Sequence, residues 1–415
     1  MREDLLSFDA RLVIFTGTFR ARAVPALLLV GGAGLGLRFW VASHSIGSDD
    51  VTLWLDHARL VRDHGVGYAL EHSEAYNHPP LMGYWAAVAS EVSRERLRTF
   101  AILIKLPGLL AELGTAALLY RIGRAHRGPR GGALAVATYG WALCAILVSG
   151  FHGNTDALYA FFCLLAAYYA SEPRRFFRCG LALAAALNVK LLPLLLIPPL
   201  AAQCRSVRDL QRFLGGLSVA MIPFLPFVFT VGPSLYRNML AYNSNQDNWG
   251  LVAFLNASYA TAAFGDLARS LGAIYFPLAR YLILLAIAVV SLRGWRVGES
   301  AYQLCTLSFV IFLVLTPGFG VQYTIMVAPL LCAVSLGRGA VYASLAGVFI
   351  GSVYLYFKLP GSPWQSNFWS LFPRACALVG MLAWGYLADT GIRLGWDLFW
   401  RNPGGDPGPG RAQPS

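Results

Sequence analysis

Two kinds of side chain in this sequence could do chemistry at a membrane surface: carboxylates that take a proton from a hydroxyl, and cations that hold a phosphate. The carboxylates gather between residues 47 and 85, where Asp49, Asp50, Asp56, Glu71 and Glu74 occur with His57, His72 and His78. A further acid, Asp156, stands much later in the chain, close behind His152 and Asn154. The cations are Lys190, in Asn188-Val189-Lys190, and Arg280, inside an apolar run over residues 274–290. An ionisable group in such a run is costly and usually faces a cavity or a partner. Each has an ordinary alternative. Asp50 and Asp156 both begin a helical pattern, so either could be an N-cap, and Asp49 could cap in place of Asp50. Lys190 and Arg280 could snorkel to the nearer interface.

The elements that must position these groups are membrane spans. The 415 residues are 57% hydrophobic and 13% charged, with a mean hydropathy of +0.54, which a soluble domain with a charged surface would not tolerate. A net charge of +12 would suggest nucleic acid in a soluble protein. Here the Lys and Arg fall in short gaps between apolar runs, as the positive-inside rule requires, and nucleic acid is excluded as a partner. The seven cysteines are scattered, mostly inside apolar runs, with no CxxC pair, and read as small buried residues.

Arg20 and Arg22 flank a first span over about residues 23–42, so the acidic stretch faces away from the cytoplasm. The basic clusters at 121–130, 174–178, 205–212 and 293–296 then repeat the same orientation. The expectation is an all-α polytopic protein of about twelve spans with both termini cytoplasmic. A folded first external loop covers residues 43–98, a first module 1–231, a second module 232–401, and a Pro/Gly-rich tail 402–415 reads as disordered. Within the loop, Val51, Trp54, Leu55, Ala58 and Val61 recur at helical spacing. Residues 251–264 are too broken to assign. Histidines 44, 57, 72, 78 and 152 near the outer face are compatible with a divalent metal, but none has diagnostic spacing, and no cofactor is indicated.

The order of motifs resembles a family: a first span, Asp50-Val51 with Trp54 and Ala58, then Tyr76-Asn77-His78-Pro79-Pro80-Leu81, then Gly153-Asn154-Thr155-Asp156-Ala157-Leu158. It is similar to the GT-C glycosyltransferases that use polyprenyl-phosphate sugars, such as the dolichyl-phosphate-mannose transferases, best over about the first two hundred residues. Two departures stand out. His78 precedes the prolines where the family often has Tyr, and Gln322-Tyr323 stands where many relatives carry a basic residue before Tyr.

The resemblance implies an inverting transfer of a hexose, mannose first, or a pentose, from a polyprenyl-phosphate donor to a glycan, lipid or protein hydroxyl on the extracytoplasmic face. Asp50 would be the general base and Asp156 a second catalytic carboxylate. Asp49, His78, His152, Asn154, Lys190, Asn248, Trp249, Arg280, Gln322 and Tyr323 would contact substrate, with Arg38 a further candidate for the phosphate. The membrane would be the inner membrane of a prokaryote or the endoplasmic reticulum of a eukaryote. The competing class is a carrier or flippase of an anionic lipid or metabolite, which would use the same cations without chemistry.

Overall fold

The computed structural model describes residues 23–241, 249–259, 265–358 and 372–400, and every regular element among them is helical. The chain runs through α1 (Ala23–His44), α2 (Asp49–His72), α3 (Pro80–Ser93) and α4 (Leu97–Gly140), then a short α5 (Leu143–Ala145) that passes into a π-helical turn, Ile146–His152. Next come α6 (Asp156–Ala170), α7 (Phe176–Val189), α8 (Ile197–Ala201), α9 (Val207–Met221) and α10 (Leu225–Leu235). The second half holds α11 (Gly250–Tyr259), α12 (Gly265–Val297), α13 (Ala301–Leu315), α14 (Ala328–Val334), α15 (Leu336–Lys358) and α16 (Phe372–Trp400).

Among the described residues five stretches are long and apolar enough to cross a bilayer: Ala23–His44, Leu97–Gly140, Val207–Leu240, Gly265–Val297 and Leu336–Leu355. Six shorter apolar helices accompany them. The protein is thus a polytopic, all-α membrane protein, consistent with about twelve passes. The broken stretch after residue 250 contains α11; Asn188 and Val189, expected in a turn, end α7, and Lys190 caps it ahead of a short 3-10 segment, Leu192–Leu196.

Helix α4 is a hairpin. Its backbone leaves helical geometry at Arg127 and Gly128, the latter at φ 68°, and Pro129 cannot donate the N–H that would continue the helix. The second leg returns beside the first, with Gly123 meeting Gly131 and Tyr120 meeting Gly132. Helix α1 packs on this hairpin through Gly34 and Gly140, whose backbones approach so closely that a Cβ on either would overlap the other strand of chain. That is the small-residue contact by which helices associate without a hydrophobic driving force between them. At the same seam Arg38 is fully buried, 3.6 Å from Glu112, and donates to the Tyr139 carbonyl at 2.7 Å. Arg38 is committed there to helix pairing, and the expectation that it serves a substrate phosphate is corrected.

The first external loop is folded, as its pattern predicts. Val51, Trp54, Leu55, Ala58 and Val61 are all buried, so the apolar face of α2 packs down onto α3 and the helices beneath. Helix α2 breaks at Gly65 (φ 85°), and its second part joins Tyr76 in a small core with Val231 and Leu235 of α10. One side chain fastens this join: Asn238 Nδ2 donates toward the carbonyls of Leu70 (2.9 Å), Ser73 (3.1 Å) and Tyr76 (3.4 Å).

Candidate functional site

Asp50 lies in the first turn of α2, but it is not the cap. The N-cap is Ser48, whose Oγ accepts from the Asp50 N–H at 3.3 Å while donating to the His152 carbonyl at 2.8 Å. The capping explanation of Asp50 therefore falls away, and its carboxylate is available for something else. Asn154 Nδ2 donates to Asp50 Oδ2 at 2.6 Å, and His152 Nε2 lies 3.2 Å from the same oxygen. Both polar neighbours fall on Oδ2. Oδ1 accepts no hydrogen bond from any described residue, and the side chain is 32% exposed.

Two glycines make this junction. Gly47 and Gly153 take φ values of 113° and 85°, a region that L side chains rarely occupy, and they turn the two loops toward each other. Asn154 is fixed in turn by the Thr155 N–H, which donates to its Oδ1 at 2.6 Å. Beneath them Lys105 donates to the Ser45 carbonyl at 2.9 Å and packs beside Gly153. Burial pushes the Asp50 carboxyl up. The charges that His152 and His78 carry once protonated in acid, the His152 hydrogen bond and the Asn154 amide outweigh it and hold the group down to about 2.

Asp156 has a different setting. Thr155 occupies the cap position of α6, and the fully buried Asp156 carboxylate takes Lys190 Nζ on both oxygens, at 3.0 and 3.3 Å. The ammonium also lies 4.5 Å from the ring centre of Tyr323, a cation–π contact. Lys190 is thus paired rather than snorkelling to an interface.

Lys190 and Tyr323 line a cavity of about 450 Å³, together with Arg280, Asn77, Asn238 and Thr316. The two cations named from the sequence therefore converge on one space. Leu192, Phe276, Ile283 and Phe312 supply apolar wall, so the cavity suits a ligand with an anionic head and a hydrocarbon tail.

Behind Asp50 a buried aromatic group closes off water. His78 packs on Trp54 with ring centres 4.6 Å apart, and His57 meets Tyr76 edge-on at 5.1 Å. Burial pushes His57 down to about 4 and His78 to about 3; for His78 the Lys190 charge adds to the effect. Both imidazoles are neutral at neutral pH. His152 stacks on Tyr354 at 5.6 Å.

Several expected contacts are placed elsewhere. Asp49 is exposed at the surface. Trp249 is buried, donates to the Leu313 carbonyl at 2.7 Å and is covered by Phe319 at 4.2 Å and Phe349 at 5.5 Å, which leaves no ring face for a sugar. Gln322 folds against Gly320 and does not line the cavity. Asn248 lies outside the described residues. Lys105, Asn238 and Tyr354 are functional-region residues that the sequence reading missed. Lys105 alone carried a signal, as a lone cation in the apolar leg of α4. No group of three or more potential metal ligands occurs among the described residues.

The comparisons with known proteins agree with this architecture. Residues 77–230 match the family model described as dolichyl-phosphate-mannose-protein mannosyltransferase. The crystal structure of ArnT from Cupriavidus metallidurans in the apo state superposes with a TM-score of 0.50 over 91% of this chain and 78% of that one, at 14% sequence identity. At that identity the likeness is one of fold. No curated protein matches the chain in sequence. The matched segment carries His78, His152, Asn154, Asp156 and Lys190, and the likeness of fold to ArnT extends over nearly the whole chain.

Proposed function

We propose that the protein transfers a sugar, a hexose with mannose first or a pentose, from a polyprenyl-phosphate donor to an acceptor hydroxyl on the extracytoplasmic face, with inversion. The observation that carries this reading is the pairing of an open carboxylate oxygen, Asp50 Oδ1, with a cavity in which Lys190, Arg280 and Tyr323 converge. The donor phosphate sits against Lys190 and Arg280, and the prenyl chain runs along the apolar wall. The acceptor oxygen attacks the anomeric carbon as the bond to the phosphate oxygen breaks, its electrons leaving with polyprenyl phosphate. The acceptor proton goes to Asp50 Oδ1.

A carboxylate held near 2 is ionised throughout the neutral range but is a weak base. It accepts the proton late, once the forming C–O bond has made the hydroxyl acidic, and the leaving phosphate needs no proton of its own. The cations supply charge stabilisation where negative charge develops. Lys190 and Asp156 together are neutral, so Arg280 gives the cavity its net positive charge. Asp156, with both oxygens on Lys190, acts in this reading as a positioning residue and does not reach the acceptor, which revises its expected role as a second catalytic carboxylate.

The test is a reconstituted assay of the purified chain with a panel of polyprenyl-phosphate sugars, scoring release of polyprenyl phosphate. Release that depends on an acceptor supports the proposal and names the sugar. Donor movement between leaflets without release of polyprenyl phosphate from any panel member would replace it with a carrier.

A further inference from the structure

A hydroxyl buried without a partner is costly, and the proposed reaction leaves one such group unused. Tyr354, near the end of α15, is only 9% exposed, and its phenol oxygen has no hydrogen-bond partner among the described residues. Its ring is held in place. It stacks on His152 with centres 5.6 Å apart and planes 17° apart, and it meets Phe151 at 4.9 Å. His152 in turn lies 3.2 Å from Asp50 Oδ2. The loop that His152 enters continues through Asn154, which donates to Asp50, to Asp156, which holds Lys190. The phenol therefore stands within the field of both carboxylates.

Packing accounts for the ring of Tyr354 but not for its oxygen, because a phenylalanine would stack on His152 as well and bury no polar group. The oxygen is also in company. His78 Nδ1 and His152 Nδ1 are buried and lack a hydrogen-bond partner among the described residues, like the phenol. Tyr354 does not line the cavity of Lys190 and Arg280, so neither the phosphate nor the prenyl chain is what it meets. In an inverting transfer the attacking oxygen and the leaving phosphate stand on opposite faces of the anomeric carbon. With the base at Asp50 and the phosphate at Lys190, the sugar ring lies between them, beside Tyr354. We infer that the Tyr354 hydroxyl bonds a ring hydroxyl of the transferred sugar and thereby takes part in choosing that sugar; this rests on the transferase reading above. A sugar hydroxyl both donates and accepts, as a phenol does, so the pair can form in either direction.

The test compares the parent with Tyr354→Phe in the reconstituted transfer assay. The donors are polyprenyl-phosphate mannose, or the panel member that the parent transfers fastest, and its monodeoxy analogues, each lacking one ring hydroxyl. The substitution deletes one atom that bonds to no described residue, so the thermal midpoint should stay level or rise. On the complete sugar kcat/KM should fall about three- to tenfold, the range for one neutral hydrogen bond. One analogue should cost the parent a similar factor and cost Tyr354→Phe nothing further, because the two deletions remove the same bond. A hydroxyl that only supports the fold would instead lower the midpoint and reduce transfer of every analogue alike, and that result would overturn the inference. So would a variant that transfers the complete sugar as efficiently as the parent does. A parent that releases no polyprenyl phosphate from any panel member would remove the transferase reading and this inference together, whereas a working parent with an indifferent Tyr354→Phe removes this inference alone.

Discussion

Asp50 and Asp156 both stand at the start of a helix, on the same side of the membrane, in loops that touch. Yet they are built for different work. Around Asp50 the donors converge on one oxygen and leave the other open, and the side chain stays a third exposed. Around Asp156 both oxygens are occupied by a lysine and nothing is exposed. The difference shows how one fold makes two carboxylates unequal: it leaves one oxygen of Asp50 without a partner among the described residues, and pairs the other acid with a buried ammonium.

The comparison can be broken most directly at Asp50. Asp50→Asn keeps the size and loses the basic oxygen, so the transfer rate should fall by about two to four orders of magnitude with the thermal midpoint nearly unchanged. A purified variant that transfers sugar at the parent rate would remove Asp50 from the role. Asp156→Asn should reverse the pattern. It strands Lys190 without its counter-charge in a buried site, so stability should fall by about 3–5 kcal/mol, read by thermal or denaturant unfolding in detergent. Adding Lys190→Met to Asp156→Leu should recover much of that stability while donor affinity stays lost. If the double variant bound donor like the parent, the cavity would owe nothing to Lys190.

Acid offers a third test, because neutral buried imidazoles lie only on the Asp50 side. His57 and His78 titrate near 6.5 when unfolded but near 4 and 3 when folded, so between those values the unfolded chain binds more protons and stability rises with pH. Lowering the pH from 6.5 to about 4 should therefore weaken the external unit, by roughly 3 kcal/mol for His57 alone. Hydrogen exchange should show α2 and α3 opening before α6 and α7. A His57→Phe variant with an unchanged acid profile would refute the assignment. The smallest expected effect is at the cavity mouth. Arg280→Gln removes one charged contact to phosphate, about 1.5 kcal/mol, so the donor KM should rise about tenfold with kcat altered less.

Much of this was legible in the sequence. The helical spacing of Val51, Trp54, Leu55, Ala58 and Val61 gave the buried face of α2, and the apolar runs gave the long helices. Lys190 and Arg280 stood out because cations in apolar runs require a reason. Other features depend on what residues far apart in the chain do to one another. That Ser48 rather than Asp50 caps α2 follows from its second bond to the His152 carbonyl, over a hundred residues away. Trp249 was expected to contact substrate, because an aromatic in an outer loop and one packed against phenylalanines have the same sequence signature. Asp156 and Lys190 were each visible, but their pairing across 34 residues depends on the turn between α7 and α8.

The Asn238 clasp carries a consequence for how the protein is made. The external unit emerges early, but its joint with the rest of the molecule waits for an amide that lies 168 residues beyond Leu70. At synthesis rates of about 5–20 residues per second, the carbonyls of Leu70, Ser73 and Tyr76 spend roughly ten to thirty seconds without that partner. During that interval water on the far side of the membrane has to satisfy them. The unit must therefore be delivered across the bilayer first and locked second, and a ribosome that stalls before residue 238 leaves a nascent chain with the Asp50 loops made and the clasp open.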